Sequence, residues 1–321
     1  MKLRSGVLTL LGVFLLMSGL PAQEKQNDAL AKALQEADLV FTGKIEKVNP
    51  IGRTNSIPPS TFGDIAFKDT KALRGPPLEV GKFNYSFRKG MTNMDLAAQG
   101  QVLVTVKQKS VTVIVPVTEA NLALAKKVGD DKGFVDLFNG KDLKGWKIYL
   151  TDQKADPAKT VVVKDGEIQV SGEPFGYLYT EKSYKNYVIR YSWRYPKDQP
   201  AKTTMNSGLL LHIQEPHKVW PKSIEPQGRY QDHGKIYFPG WTKEDKGAKE
   251  STFDAAAQRK ALKESHQWNT TEATVKGDGS ISVRINGIPV STAKTELTSG
   301  LIGFQSEGAR IHFKDIKIKL D

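Results

Sequence analysis

The chain contains no cysteine. That excludes disulfide bridges, zinc–thiolate centres and thiol nucleophiles together, so the fold is held by burial and backbone hydrogen bonding alone. Histidine is scarce: there are five in 321 residues, and three of them, His212, His217 and His233, fall in one window. Dense arginine runs are missing too. The net charge is +12, but the lysines are scattered, which reads as a solvated basic surface rather than a nucleic-acid-binding one. An anionic envelope polymer is the partner such a surface suits. Beyond residue 23 no apolar run approaches the roughly 20 residues that a membrane helix needs.

What is present suits a globular protein. Hydrophobic residues make up 39% and charged residues 26%, enough apolar material for a packed core, and the length allows two domains. The start is an address. Lys2 and Arg4 form a positive region, residues 7–16 an apolar core, and small residues lead to Ala22. This is the layout of a signal peptide over residues 1–22, without the cysteine of a lipoprotein anchor. The mature protein is expected to be secreted or periplasmic, with no membrane anchor after cleavage.

Residues 25–128 read as a small β domain with flanking helices. Residues 27–37 carry Leu30 and Leu34 one helical turn apart. Strand patterns follow at 39–48, 64–70, 83–87, 101–107 and 111–117, with a loop at 49–63 holding Pro58 and Pro59. Phe83, Tyr85 and Phe87 alternate with polar residues, the period of a half-buried strand. A helix opens after Thr118. The segments ADLVFTGKIEKV, LRGPP and QGQVLVTV resemble the OB-like barrels of netrin-type and metalloprotease-inhibitor-like modules. The domain has no histidine and no clustered carboxylates, and it reads as an accessory or interaction module.

Residues 129–132 read as a linker, and the texture then changes. Strand patterns recur at roughly 8–15-residue spacing, as in an all-β sandwich: 160–164, 167–170, 187–193, 209–213, 271–276, 280–285 and 311–320. Helical periodicity is confined to 252–264. The dipeptides Asn139-Gly140 and Asn286-Gly287 suit hairpin turns. Trp146 and Trp193 read as core aromatics.

Several segments then occur in order: GFVDLFNGKDLKGW, VVVKDGEIQV, NSGLLLHI, WPKSIEPQGRYQDHGKIY, HQWNTTEATVKGDGSISVRINGIPV and GLIGFQSEGARIHFKDIKIKL. This series resembles the 3-keto-disaccharide hydrolase family over residues 133–321. The resemblance implies a concanavalin/lectin-like jelly-roll sandwich, so the chain as a whole is expected to be all-β, the sandwich preceded by the OB-like barrel. The paired acidic E-[IL]-D-x-x-E strand of jelly-roll endoglucanases is absent; Gly166-Glu167-Ile168-Gln169 only superficially approaches it.

The implied activity is cleavage of 3-keto-glycosides. A ketone at C3 acidifies the C2 proton, its removal gives an enolate, and the enolate expels the C1 substituent; water adding back completes a net hydrolysis. Such a site needs a base near C2 and donors or a cation at the C3 oxygen. No organic cofactor is needed; a divalent metal is a possible electrophile. The window 206–237 can supply these groups. Glu225 is the first candidate for base or metal ligand and His212 the second, as proton shuttle or ligand, with Asp232 a further possible ligand. On a regular strand Leu210, His212 and Gln214 share one face, and pairing His212 with Glu225 requires that they share it too. Gln227, Arg229, Trp220, Asn206, His233 and Gln305 are the candidates for substrate contacts, and Glu307 stands near Gln305 on the same segment. Family members carry a Gly-Asp pair after the Glu-x-Gln segment; here the place reads Gly234-Lys235, which replaces a carboxylate by a cation. The enzyme reading therefore stands beside an alternative, a non-catalytic carbohydrate-binding or envelope interaction module on the same fold.

Overall fold

A computed structural model describes residues 20–53, 60–75, 83–88, 100–199, 204–245 and 250–321. The signal-peptide reading falls outside these residues up to position 19, as does the Pro58-Pro59 pair. Contacts divide the chain into two compact units, Met1–Lys132 and Gly133–Asp321.

In the first unit five strands close into a barrel. They are β1 (Leu39–Arg53), β2 (Ser60–Arg74), β3 (Phe83–Arg88), β4 (Gln101–Lys107) and β5 (Ser110–Pro116), in the order β1-β2-β3-β5-β4, with β3 and β5 parallel. This is the OB-like barrel. Its interior is filled from alternate positions, among them Phe41, Ile65, Phe67, Val102, Val104 and Ile114. The outward residues Val40, Leu103, Val113 and Val115 pack with Leu30, Leu34, Ala125 and Val128, which lie on helices α1 (Leu20–Glu36) and α2 (Glu119–Asp130). Thr118 caps α2 by accepting from the Asn121 N–H. That helix runs to Asp130, two residues into the stretch read as linker. The β1–β2 strands are likewise longer than expected, extending into the region read as loop on both sides.

The second unit is a two-sheet sandwich. One sheet has four strands, in the order β12 (Leu209–Ile213), β19 (Leu301–Ser306), β10 (Gly176–Thr180), β7 (Trp146–Leu150). The other has nine: β15 (Glu250–Phe253), β18 (Ile288–Lys294), β17 (Ser280–Ile285), β16 (Asn269–Val275), β11 (Tyr187–Arg194), β20 (Ile311–Leu320), β9 (Glu167–Val170) and β8 (Val161–Lys164) along one path, with β6 (Val135–Asp136) paired to β20. A two-residue hairpin, β13 (Glu225–Pro226) and β14 (Ile236–Tyr237), stands apart. Alternation builds the core. β11 is buried at every second residue, and its Ile189, Tyr191 and Trp193 meet Leu178, Leu209, Leu211, Ile302 and Phe304 of the small sheet. Each such burial stabilises by about 1.5–3 kcal/mol. Trp146 and Trp193 are core residues as expected, both nearly inaccessible.

Three local expectations change. The helix read over 252–264 is shorter, Ala255–Ala261, because Thr252 and Phe253 extend β15 and Asp254 caps the helix through the Ala256 and Ala257 N–H groups. Asn286-Gly287 does turn between β17 and β18, with both residues at positive φ. Asn139-Gly140 makes no hairpin: the Asn139 side chain accepts from the Lys141 and Asp142 N–H groups, a local turn.

Candidate functional site

The site is built on the face of the four-stranded sheet that points away from the core. Cross-strand partners share a face, and one transverse row crosses the whole sheet. Gln305 donates its N–H to the Gly208 carbonyl at the head of β12, Gln305 pairs with Tyr177, and Tyr177 pairs with Tyr149. Their neighbours Phe304 and Leu178 face the core, so this row faces out.

Glu225 reaches the same face from the β13–β14 hairpin, where it pairs with Tyr237. A Cβ on Gly208 would lie 2.0 Å from Gln305 Oε1 and 2.5 Å from Glu225 Oε1, so those two oxygens are no more than 4.5 Å apart. Among the described residues neither accepts a hydrogen bond, nor does the buried Oδ1 of Asn206 two residues upstream. Glu225 is 6% exposed. Burial, then the negative charges of Glu307 and Asp232, push its carboxyl up to about 8 against the pull of Arg229. Glu307 also sits above the usual carboxylate range because of burial, tempered by the Trp220 indole, whose Nε1 donates to Glu307 Oε1 at 3.2 Å. Trp220 is half exposed at the rim.

Arg229 is held by Asp232 through two parallel bonds of 2.7 Å, Nε to Oδ1 and Nη2 to Oδ2, and Tyr237 Oη donates to Asp232 Oδ2. Burial alone would raise Asp232, but these donors hold it below its ordinary value. Lys235 stands 5.1 Å over the Tyr237 ring, so the residue that departs from the family pattern adds positive charge at this edge. Gln227 bridges Gly208 through the backbone, and its Oε1 accepts from the Arg229 N–H; it braces the loop.

Two histidines are elsewhere. A bulge between Leu210 and Ile213 adds a residue to β12, with His212 at φ +56°. The parity therefore slips: Leu210 and Ile213 share the outer face, while His212 turns edge-on to the core residue Tyr187 and bonds the Leu297 carbonyl through Nδ1. His212 and Glu225 thus lie on opposite faces of the sheet, and the expected pair does not form. His233 is also buried. It stacks on Trp193 at 4.0 Å, donates from Nδ1 to the Gly228 carbonyl and accepts at Nε2 from Thr271. Burial pushes it down to about 4, so it is a neutral packing residue and not a substrate contact. The possible metal set Glu225, His212 and Asp232 does not assemble, since His212 is on the other face and Asp232 is engaged by Arg229 and Tyr237. Among the described residues no three His, Asp or Glu side chains converge.

The residues that spacing did not reveal are Tyr149, Tyr177, Tyr179, His217 and Tyr237. His217, on the loop after β12, packs on all three tyrosines of the small sheet, with centroid distances of 4.4 Å to Tyr179, 5.8 Å to Tyr149 and 5.9 Å to Tyr177. The alternation of Tyr177 and Tyr179 in GYLYT was the available signal.

A family model described as "3-keto-alpha-glucoside-1,2-lyase-like domain" matches residues 133–319, more than half of the chain. No curated protein matches. Among solved structures, a candidate glycosyl hydrolase from Parabacteroides distasonis ATCC 8503 is 24% identical with a TM-score of 0.42, over 64% of this chain and 98% of that one. A second from the same organism is 17% identical with a TM-score of 0.42, over 59% and 99%. A carbohydrate-binding module from Bacillus subtilis is 10% identical with a TM-score of 0.36, over 55% and 95%.

Proposed function

The chain belongs to the 3-keto-alpha-glucoside-1,2-lyase-like domain family, a carbohydrate-active one, and on that premise we propose that its second unit cleaves 3-keto-glycosides with Glu225 as the base at C2. The observation that carries the reading is the environment of Glu225: a buried carboxyl, raised to about 8, with an unbonded oxygen beside the Gln305 amide. A base is most effective when its value lies near the working pH. The ionised carboxylate takes the C2 proton, and the C–H electrons form the C2–C3 double bond of an enolate. The enolate reforms the C3 carbonyl as the C1–oxygen bond breaks. The leaving oxygen takes a proton from water, the hydroxide so formed adds at C1 of the unsaturated sugar, and Glu225 returns its proton to C2. Asn206 and Gln305 amides supply donors to sugar oxygens, and the Arg229 guanidinium, fixed by Asp232, supplies positive field for the enolate. His212 takes no part.

The test is release of the aglycone from 3-keto-trehalose or a chromogenic 3-keto-glucoside, with and without chelator. The expected rate rises with pH, because ionisation of Glu225 creates the base, reaches half its maximum near pH 8 and levels off above it. Glu225→Gln is expected to lower kcat by roughly 10²–10⁴-fold. Undiminished release by that variant sinks the proposal. The second reading, sugar binding without turnover, draws on Lys235 beside Tyr237, where the family pattern has a carboxylate; saturable binding with no release favours it. We propose also that the chain is exported, on the strength of its charged start and the apolar run that follows.

A further inference from the structure

The transverse row on the small sheet changes character along its length. At the β12 end it is acidic and amide-bearing, with Glu225 over Gly208 and then Gln305. At the β7 end it is aromatic, with Tyr177 and then Tyr149. Three strand spacings separate Gly208 from Tyr149, about 14 Å, room for two joined rings. Tyr149, Tyr177, Tyr179, Leu210, Ile213 and Leu301 form an apolar cluster separate from the sandwich core. Tyr177, Leu210 and Ile213 are its buried floor, and Tyr149, Tyr179 and Leu301 are the members that stay partly exposed, on the face that carries Glu225.

His217 completes this end. Its ring lies over the tyrosines, and Tyr177 Oη meets its Nδ1 at 2.8 Å. With the Tyr177 hydroxyl donating to Nδ1, the imidazole carries its proton on Nε2. The result is a rigid aromatic surface with one N–H donor, in line with the acid group.

We propose that Tyr149, Tyr179 and His217 form the subsite for the leaving group of the glycoside, and that this subsite selects leaving groups that carry a ring, either a second pyranose or an aryl group. The proposal rests on the reading that the keto-sugar sits at Glu225. A ring's C–H face or π-face packs on the aromatic surface, and Nε2–H donates to an oxygen of the leaving group. A methyl glycoside fills none of this space.

The experiment has two arms on the full chain. In the turnover arm, kcat/KM is measured for 4-nitrophenyl and methyl 3-keto-α-glucoside. The wild-type ratio is expected to favour the aryl substrate, and that ratio is expected to fall roughly five- to tenfold in Tyr149→Ala and in His217→Ala, the weight of one aromatic contact. Tyr149→Phe keeps the ring and is expected to keep the ratio. In the binding arm, calorimetry compares unoxidised 4-nitrophenyl α-glucoside with methyl α-glucoside, neither of which can react by this route. The aryl preference is expected here too and is expected to vanish in Tyr149→Ala. If wild type turns over neither substrate, the catalytic reading fails, and the binding arm still decides the subsite. A ratio that survives in both alanine variants, with unchanged circular dichroism, overturns the subsite, as does equal wild-type binding of the two glucosides.

Discussion

Glu225 sits in an environment that opposes its charged form. Its carboxyl is at about 8 in the folded chain against about 4.5 in the unfolded one. Below both values the two states hold the same proton. Between them the unfolded chain releases the proton while the folded chain keeps it, so stability is full below about pH 4.5 and is lost as pH rises towards 8. Glutamine removes that titration, and its amide NH₂ also brings a donor near Gln305 Oε1, which accepts no hydrogen bond from the described residues. Glu225→Gln is therefore expected to be more stable than wild type at pH 8, by on the order of 3 kcal/mol, with the gap closing towards pH 5. Urea unfolding at the two pH values checks it. A variant less stable than wild type at pH 8 contradicts the burial argument. Loss of activity with a gain in stability is the signature of a group retained for chemistry.

At the scale of the element, the start of β12 matters most. Gly208 is the one position on that strand where the absence of a side chain admits both Glu225 and Gln305. Gly208→Ala places a methyl group where their two oxygens sit and forces both aside. The expected loss in kcat/KM is about 100-fold, the scale of an ångström-sized displacement at a reacting centre, with a stability cost of about 1–3 kcal/mol. Activity within threefold of wild type, measured on folded protein, rules this out. The same strand shows where sequence reading stops. Period-two alternation located β11, β12, β17 and β20, because a strand buried on one side repeats its burial every second residue. It misplaced His212 because one bulge residue reverses that parity, and nothing in LLLHIQ announces a bulge. His233 was misjudged for another reason: its partners Trp193 and Thr271 lie on β11 and β16, far away in the chain. Glu225 was proposed through the family resemblance, and its value near 8 was not legible, since the burial that raises it, and then the charge of Glu307, arise only across the fold.

At the scale of the whole molecule the two units have separate cores. Every member of the large cluster, from Phe138 to Ile318, belongs to the second unit, and the barrel's clusters draw only on residues 30 to 128. All the groups assigned to chemistry or to the leaving-group subsite, from Tyr149 to Glu307, also lie in the second unit. A chain of about 190 residues buries enough surface to fold alone. A fragment spanning Gly133–Asp321 is therefore expected to fold cooperatively, with a melting temperature within a few degrees of the matching transition in the full chain, and to keep its Glu225-dependent turnover of small 3-keto-glucosides within about threefold. The barrel carries no histidine in residues 25–128, and the proposed proton transfer at C2 uses none of its side chains. Scanning calorimetry and aglycone release on the fragment decide the matter. A fragment that folds but has lost turnover by more than tenfold would give the barrel a direct part in the reaction, whereas retained turnover of small glucosides with weakened action on a polymer would give it a part in holding the substrate.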